Sequence, residues 1–119
     1  GLAFDYRDYK RKLKVICDQL NLMTILPLHS NYLTITEKEN YVYAEFNREM
    51  LTFPRADVIL LPISNTTVEE LSHWILQQLL SDEAAMQQHR IQKMIVTVYS
   101  SLYRSGSAGW QRKAEDRLG

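Results

Sequence analysis

Three histidines, one cysteine and a pair of threonines are the residues of this 119-residue chain whose chemistry could go beyond packing. An imidazole can ligate a metal or carry a proton near neutral pH, and a thiolate can attack an electrophile. Both roles need neighbours at set spacings. His29, His73 and His89 have no ligand spacing: His73 sits beside Trp74 in a helical stretch, and His89 lies in a polar one. They read as solvated or packing residues, and no metal site is expected from them. Cys17 is the single cysteine, which excludes an internal disulfide and a cysteine-based zinc cage. Its place on an apolar helix stripe predicts a buried, inert thiol. Thr66 and Thr67 precede a helical run, where hydroxyls cap backbone N–H groups or touch a ligand.

The elements that must position these groups follow from periodicity. Residues 5–20 predict an amphipathic helix, with Tyr6, Tyr9, Leu13, Ile16, Cys17 and Leu20 at spacings of three and four. Arg7, Lys10, Arg11, Lys12 and Lys14 take its other faces. Asp5 is the expected N-cap, and Asn21 the left-handed residue that ends the helix. Residues 31–53 read as a β-meander with turns at Glu37–Asn40 and Asn47–Glu49. Residues 57–63 form an apolar run, either a short strand or an extended segment on the core. Thr67-Val68-Glu69-Glu70 matches a capping box at the start of a second helix over 67–80. Its apolar stripe runs through Val68, Leu71, Ile75 and Leu79, widened by Trp74, Leu76 and Leu80. Residues 81–91 read as a loop or frayed helix, 94–99 as a strand, 102–109 as a loop and 110–116 as a last strand. The order of helix, strands, helix and strand predicts an α+β domain with helices on one face of an antiparallel sheet.

Composition narrows the classes. The length suits one domain, able to bury roughly 65% of its unfolded surface. Fourteen basic and fourteen acidic residues cancel to zero net charge, so the basic excess of a nucleic-acid binder is absent. Near-zero charge gives little colloidal repulsion and suits an assembly. No apolar run approaches the ~20 residues of a membrane span, and no signal peptide is visible. A soluble chain in a reducing compartment is expected. The chain opens on Gly1 rather than Met, which is expected of a processed or expressed product or of part of something longer.

Three segments in order carry a resemblance: Gly1-Leu2-Ala3-Phe4-Asp5-Tyr6-Arg7-Asp8-Tyr9-Lys10, Leu60 to Glu69 (Leu-Leu-Pro-Ile-Ser-Asn-Thr-Thr-Val-Glu), and Val96-Thr97-Val98-Tyr99-Ser100-Ser101. Together they resemble the 6-pyruvoyl tetrahydropterin synthase and 6-carboxytetrahydropterin synthase family over roughly residues 1–110. The resemblance implies the tunnelling fold: an antiparallel sheet with two long helices on one face, with residues 31–53 as an extra β-hairpin insertion. It implies a single domain over 1–119, lacking the family's N-terminal hairpin with its three zinc-binding histidines. It also implies homo- or hetero-oligomerisation through sheet edges, which open edges favour on physical grounds, and a pterin-like ligand at subunit interfaces.

The same resemblance marks where chemistry is replaced. The family's Leu-Asp-His segment, whose Asp and His serve proton transfer, corresponds to Leu20-Asn21-Leu22 here. An amide is no carboxylate base, and an alkyl side chain exchanges no proton. The Glu that anchors the pterin in Val-x-Glu-Thr corresponds to Ser100, which lacks a charged bidentate acceptor. Catalytic residues are therefore expected to be absent, with Asn21 and Leu22 in their places. Thr66, Thr67 and Ser100 remain as ligand-binding candidates. No cofactor is expected in this chain, and zinc only if a histidine hairpin precedes it. The leading expectation is a catalytically degenerate structural or interaction subunit. The alternatives are a zinc-dependent pterin synthase-like carbon–oxygen lyase with an altered site, seen as a truncated chain, and a non-catalytic pterin-binding module.

Overall fold

The computed structural model describes residues 7–100 and 104–113. The elements run α1 (Arg7–Leu20), β1 (Thr24–Pro27), β2 (Thr34–Lys38), β3 (Tyr41–Phe46), β4 (Glu49–Pro54), a 3-10 turn (Arg55–Asp57), β5 (Val58–Leu61), α2 (Val68–Leu80), α3 (Glu83–Gln88), β6 (Lys93–Tyr99) and β7 (Ser105–Gln111). This is an α+β chain. It divides into two compact units, one of residues 1–16 with 67–119 and the other of residues 17–66, and α1 runs through the boundary.

The unit of residues 17–66 is built by alternation. In β3, Val42 and Ala44 are buried, while Tyr41 and Glu45 face out, as a period of two requires. β3 pairs antiparallel with β2 and β4, placing Ile35 opposite Ala44 and Phe53 opposite Val42. Asn47 and Arg48 join β3 to β4 with φ of 49° and 66°, the double left-handed turn that matches the twist of a two-residue hairpin. Pro54 ends β4 on an edge strand, where its missing N–H removes a site for further pairing. β1 and β5 form a separate parallel pair, Thr24 opposite Val58 through Pro27 opposite Leu61. Leu26, Val42, Ala44 and Val58 form the core, with Leu33, Ile35, Phe53 and Leu60 packed against it. The apolar run at 57–63 is thus largely a strand, and its partner β1 carried no strand reading of its own.

The other unit sets α2 on the β6–β7 hairpin. Thr67 caps α2, its Oγ1 accepting the Glu70 N–H at 3.2 Å, the bond that the capping-box spacing predicts. Ile75, Leu76 and Leu79 are buried, and so is Ser72, whose hydroxyl donates to the Glu69 carbonyl at 2.8 Å. The register Val96 opposite Ala108 and Val98 opposite Gly106 places small residues of β7 under the helix. A Cβ on Gly106 would lie 2.5 Å from the Glu69 nitrogen and 2.7 Å from the Val68 carbonyl carbon. Glycine is therefore what lets the first turn of α2 touch the strand.

Several expectations need correction. Residues 105–109 belong to a strand rather than a loop, and that strand ends at Gln111. Its Ser-Gly-Ser-Ala-Gly run has weak β propensity, and pairing with β6 under α2 overrides it. Of the two alternatives for 81–91, the helical one holds over Glu83–Gln88, capped where Asp82 accepts the Ala85 N–H at 3.1 Å. The left-handed residue after α1 is Leu22, at φ 61°, and not Asn21. Cys17 is exposed and not buried, because the buried stripe of α1 passes through Tyr9 and Ile16. The expected cap Asp5 lies outside the described residues.

Candidate functional site

An open hollow of about 590 Å³ lies in the unit of residues 17–66. β1 supplies one wall through Ile25, Leu26 and Pro27, and Phe46 closes the end of β3. Tyr32 and Leu33 enter from the connection after β1, held by Ser30, whose Oγ accepts the N–H groups of both at 3.0 and 3.1 Å. That hydroxyl-to-backbone turn fixes where the tyrosine emerges. The Leu28 N–H donates to the Leu61 carbonyl at 2.9 Å and the His29 N–H to Ile63 at 3.0 Å, extending the β1–β5 pairing. Asn65 and Thr66 complete the rim. Two aromatic rings with an amide and hydroxyls suit a flat molecule with a polar edge. Among the described residues, no carboxylate, imidazole or ammonium group lines the hollow, and these walls suit binding and orientation.

Of the residues singled out in the sequence, Thr66 lies on this rim. Thr67 is committed to capping α2. Asn21 and Leu22 follow α1 and are exposed, Leu22 to 95%. Ser100 belongs to the other unit, at the end of β6, where its N–H donates to the Arg104 carbonyl at 2.8 Å. His29 and His73 are exposed. Among the described residues no three of His, Cys, Asp and Glu gather as a metal would require. Sequence patterning places Tyr32 and Phe46 in the meander of residues 31–53. Their role as walls has no sequence signal, because alternation gives a face and not the gap beside it.

His89 occupies a different setting, a clasp between α1 and α3. Its Nε2 lies 3.1 Å from Asp8 Oδ2, and its ring meets Tyr9 edge to face at 5.7 Å. The Tyr9 hydroxyl donates to Met86 Sδ at 3.3 Å. Lys12 pairs with Asp82, the N-cap of α3. Burial, more than its charged neighbours, pushes the Tyr9 phenol above its ordinary range. The bond to Asp82 raises Lys12, and the same bond, joined by the Ala85 N–H, lowers Asp82. These titratable groups are engaged with one another, as a structural clasp needs.

No protein-family model matches the chain. A Methanocaldococcus jannaschii protein provisionally named 6-carboxy-5,6,7,8-tetrahydropterin synthase is 31% identical over 75 residues, 63% of this chain. The match spans 46% of that relative, less than half its length. Among solved structures, the chain is similar to 6-pyruvoyl tetrahydropterin synthase of Plasmodium falciparum, with a TM-score of 0.86 and 26% identity over 94% of this chain and 71% of that one. The Plasmodium vivax enzyme gives 0.84 and 27% over 91% and 68%. Agreement in fold over nearly the whole chain, joined to detectable sequence identity with pterin synthases, means that this α+β chain has the tunnelling fold and is similar to the 6-pyruvoyl tetrahydropterin synthase and 6-carboxytetrahydropterin synthase family.

Proposed function

We propose that this chain is a catalytically degenerate member of its family and serves as a structural or interaction subunit of an oligomer. The observation that carries this reading is the pair after α1. Asn21 and Leu22 stand where the resemblance puts the family's proton-transfer Asp and His, and Leu22 is 95% exposed. An alkyl group in water has no part in acid–base chemistry. Ser100, in place of the pterin-anchoring Glu, supports the same reading. Function lives in such positions and not in the fold around them. The test is pterin turnover by the purified, zinc-loaded full-length protein. Background rates are expected; turnover at an enzyme's rate would overturn the proposal in favour of a lyase with an altered site.

The hollow lined by Tyr32, Phe46, Asn65 and Thr66 favours a second reading, a module that holds a pterin-like ligand without converting it. A ligand of the native state raises the melting temperature by mass action. Neopterin or biopterin at saturation would raise it on this reading, and the Thr66→Ala variant would lose the shift. An unchanged melting temperature would dismiss the module and leave the scaffold.

A further inference from the structure

A second hollow, of about 360 Å³, lies in the unit that carries α2, within the size range of small-ligand pockets (~300–1,000 Å³). Its walls are Leu80 at the end of α2, Glu83, Met86 and Gln87 of α3, and Trp110 and Arg112 from the end of β7 and just beyond. Glu83 and Gln87 are one helical turn apart, so they share one side of α3.

Arg112 is held in a defined pose. Its backbone N–H donates to the Gln92 carbonyl at 2.7 Å, continuing the β6–β7 ladder, and its Nε donates to the Ile91 carbonyl at 3.1 Å. The guanidinium carbon sits 5.3 Å from the centre of the Trp110 ring. With Nε occupied, the two terminal nitrogens remain as the fork that binds a carboxylate end-on. No ion pair joins Arg112 to a carboxylate among the described residues. The hollow thus has a restrained cationic fork and, among its other lining groups, a carboxylate with an amide one turn along. Leu80, Met86 and the indole are its apolar surfaces. Met86 is 4% exposed and pinned by Tyr9, which steadies that part of the wall.

We propose that this hollow binds a small zwitterion of the α-amino acid class. Arg112 receives the carboxylate, Glu83 and the Gln87 carbonyl receive the ammonium, and the apolar surfaces of Leu80, Met86 and Trp110 take an uncharged side chain. Neither charge alone satisfies both groups, so recognition requires the pair.

The test is titration of the full-length protein with L-leucine, followed by Trp110 indole and Arg112 side-chain signals in NMR spectra. Leucine methyl ester and isocaproate serve as probes lacking the carboxylate and the amine. Saturable shifts at both reporters are expected with leucine, with each probe weaker by about tenfold or more, the worth of one charge-assisted contact. Arg112→Gln is expected to abolish the preference for leucine over its ester, and Glu83→Gln the preference over isocaproate, each with native dispersion of the remaining signals. Absence of saturable shifts at millimolar leucine would overturn the proposal. So would equal binding of leucine and its ester, or an affinity unchanged in Arg112→Gln. Should Arg112→Gln fail to fold, the ester comparison on the natural protein decides alone.

Discussion

The two units solve the same packing problem in opposite ways. The unit of residues 17–66 fills its interior: Leu26, Val42, Ala44 and Val58 meet across two small sheets, and strand alternation supplies the apolar face. The unit built on α2 works partly by omission. Gly106 leaves room for backbone to meet backbone, and polar partners (Lys12 with Asp82, Asp8 with His89, Tyr9 with Met86) clasp α1 to α3. The first design depends on the volume inside it, so its weak point is a cavity. The second depends on closeness and on charge, so its weak points are an added atom and a changed pH.

The largest effect should come from adding an atom where the second unit has none. Gly106→Ala places a methyl group against the backbone of Val68 and Glu69, which cannot swing aside as a side-chain tip would. A loss of about 3 kcal/mol is expected from urea unfolding, at the upper end of ordinary overpacking. Gly109→Ala is the control: its nearest atom would be the Ile95 Cγ1 at 3.7 Å, and a change within about 0.5 kcal/mol is expected. Equal losses at the two glycines would break the contrast.

The filling design is probed by Val42→Ala, which empties a site 1% exposed. About 2 kcal/mol should be lost, combining transfer and cavity terms. Removing the α2 cap with Thr67→Ala should cost about 1 kcal/mol. If the cap loss exceeded the cavity loss, the first unit would not be the one that depends on filling.

The clasp should answer to pH in two windows. Lys12 is raised in the folded chain, so its contribution is complete below its unfolded pKa and is lost as pH climbs through and above about 10.4. Asp82 is lowered, so its contribution is complete above its unfolded pKa and is lost as pH falls below about 4. Unfolding midpoints of the natural chain and of Lys12→Met, followed across both windows, should differ at neutral pH and converge at the alkaline and acid ends. A difference that stays constant with pH would mean that the Lys12 stem, and not its charge, holds α3. The effect should be small, because the pair is partly exposed and screened. Smallest of all, Cys17→Ser should leave stability within about 0.5 kcal/mol, since the thiol is exposed.

Sequence patterns legible on their own were those with a local cause. The helix of α1, the meander of β2 to β4 and the capped start of α2 each follow from neighbours within a few residues, through side-chain period, turn chemistry or a hydroxyl three residues from an N–H. The side-chain groups offered at Asn21, Leu22 and Ser100 were legible too, because a residue's functional group needs no fold to be identified. Strand β7 and the strand pairing of β1 were not. Their residues have weak or ambiguous preferences, and pairing partners distant in the chain decided for them: Ser105–Gln111 against Lys93–Tyr99, and Thr24–Pro27 against Val58–Leu61.

The exposure of Cys17 and the burial of Ser72 were likewise decided by packing, since a helical stripe has a width that periodicity leaves open at its margins. The same holds for both hollows. Tyr32 and Phe46 became walls of one, and Arg112 a restrained fork in the other, through contacts that join residues far apart in sequence. By itself, then, the sequence determined the local elements and the chemical groups available, because those depend on covalent identity and near neighbours. Only the tertiary structure decided which surfaces close and which stay open, because that depends on how distant segments meet.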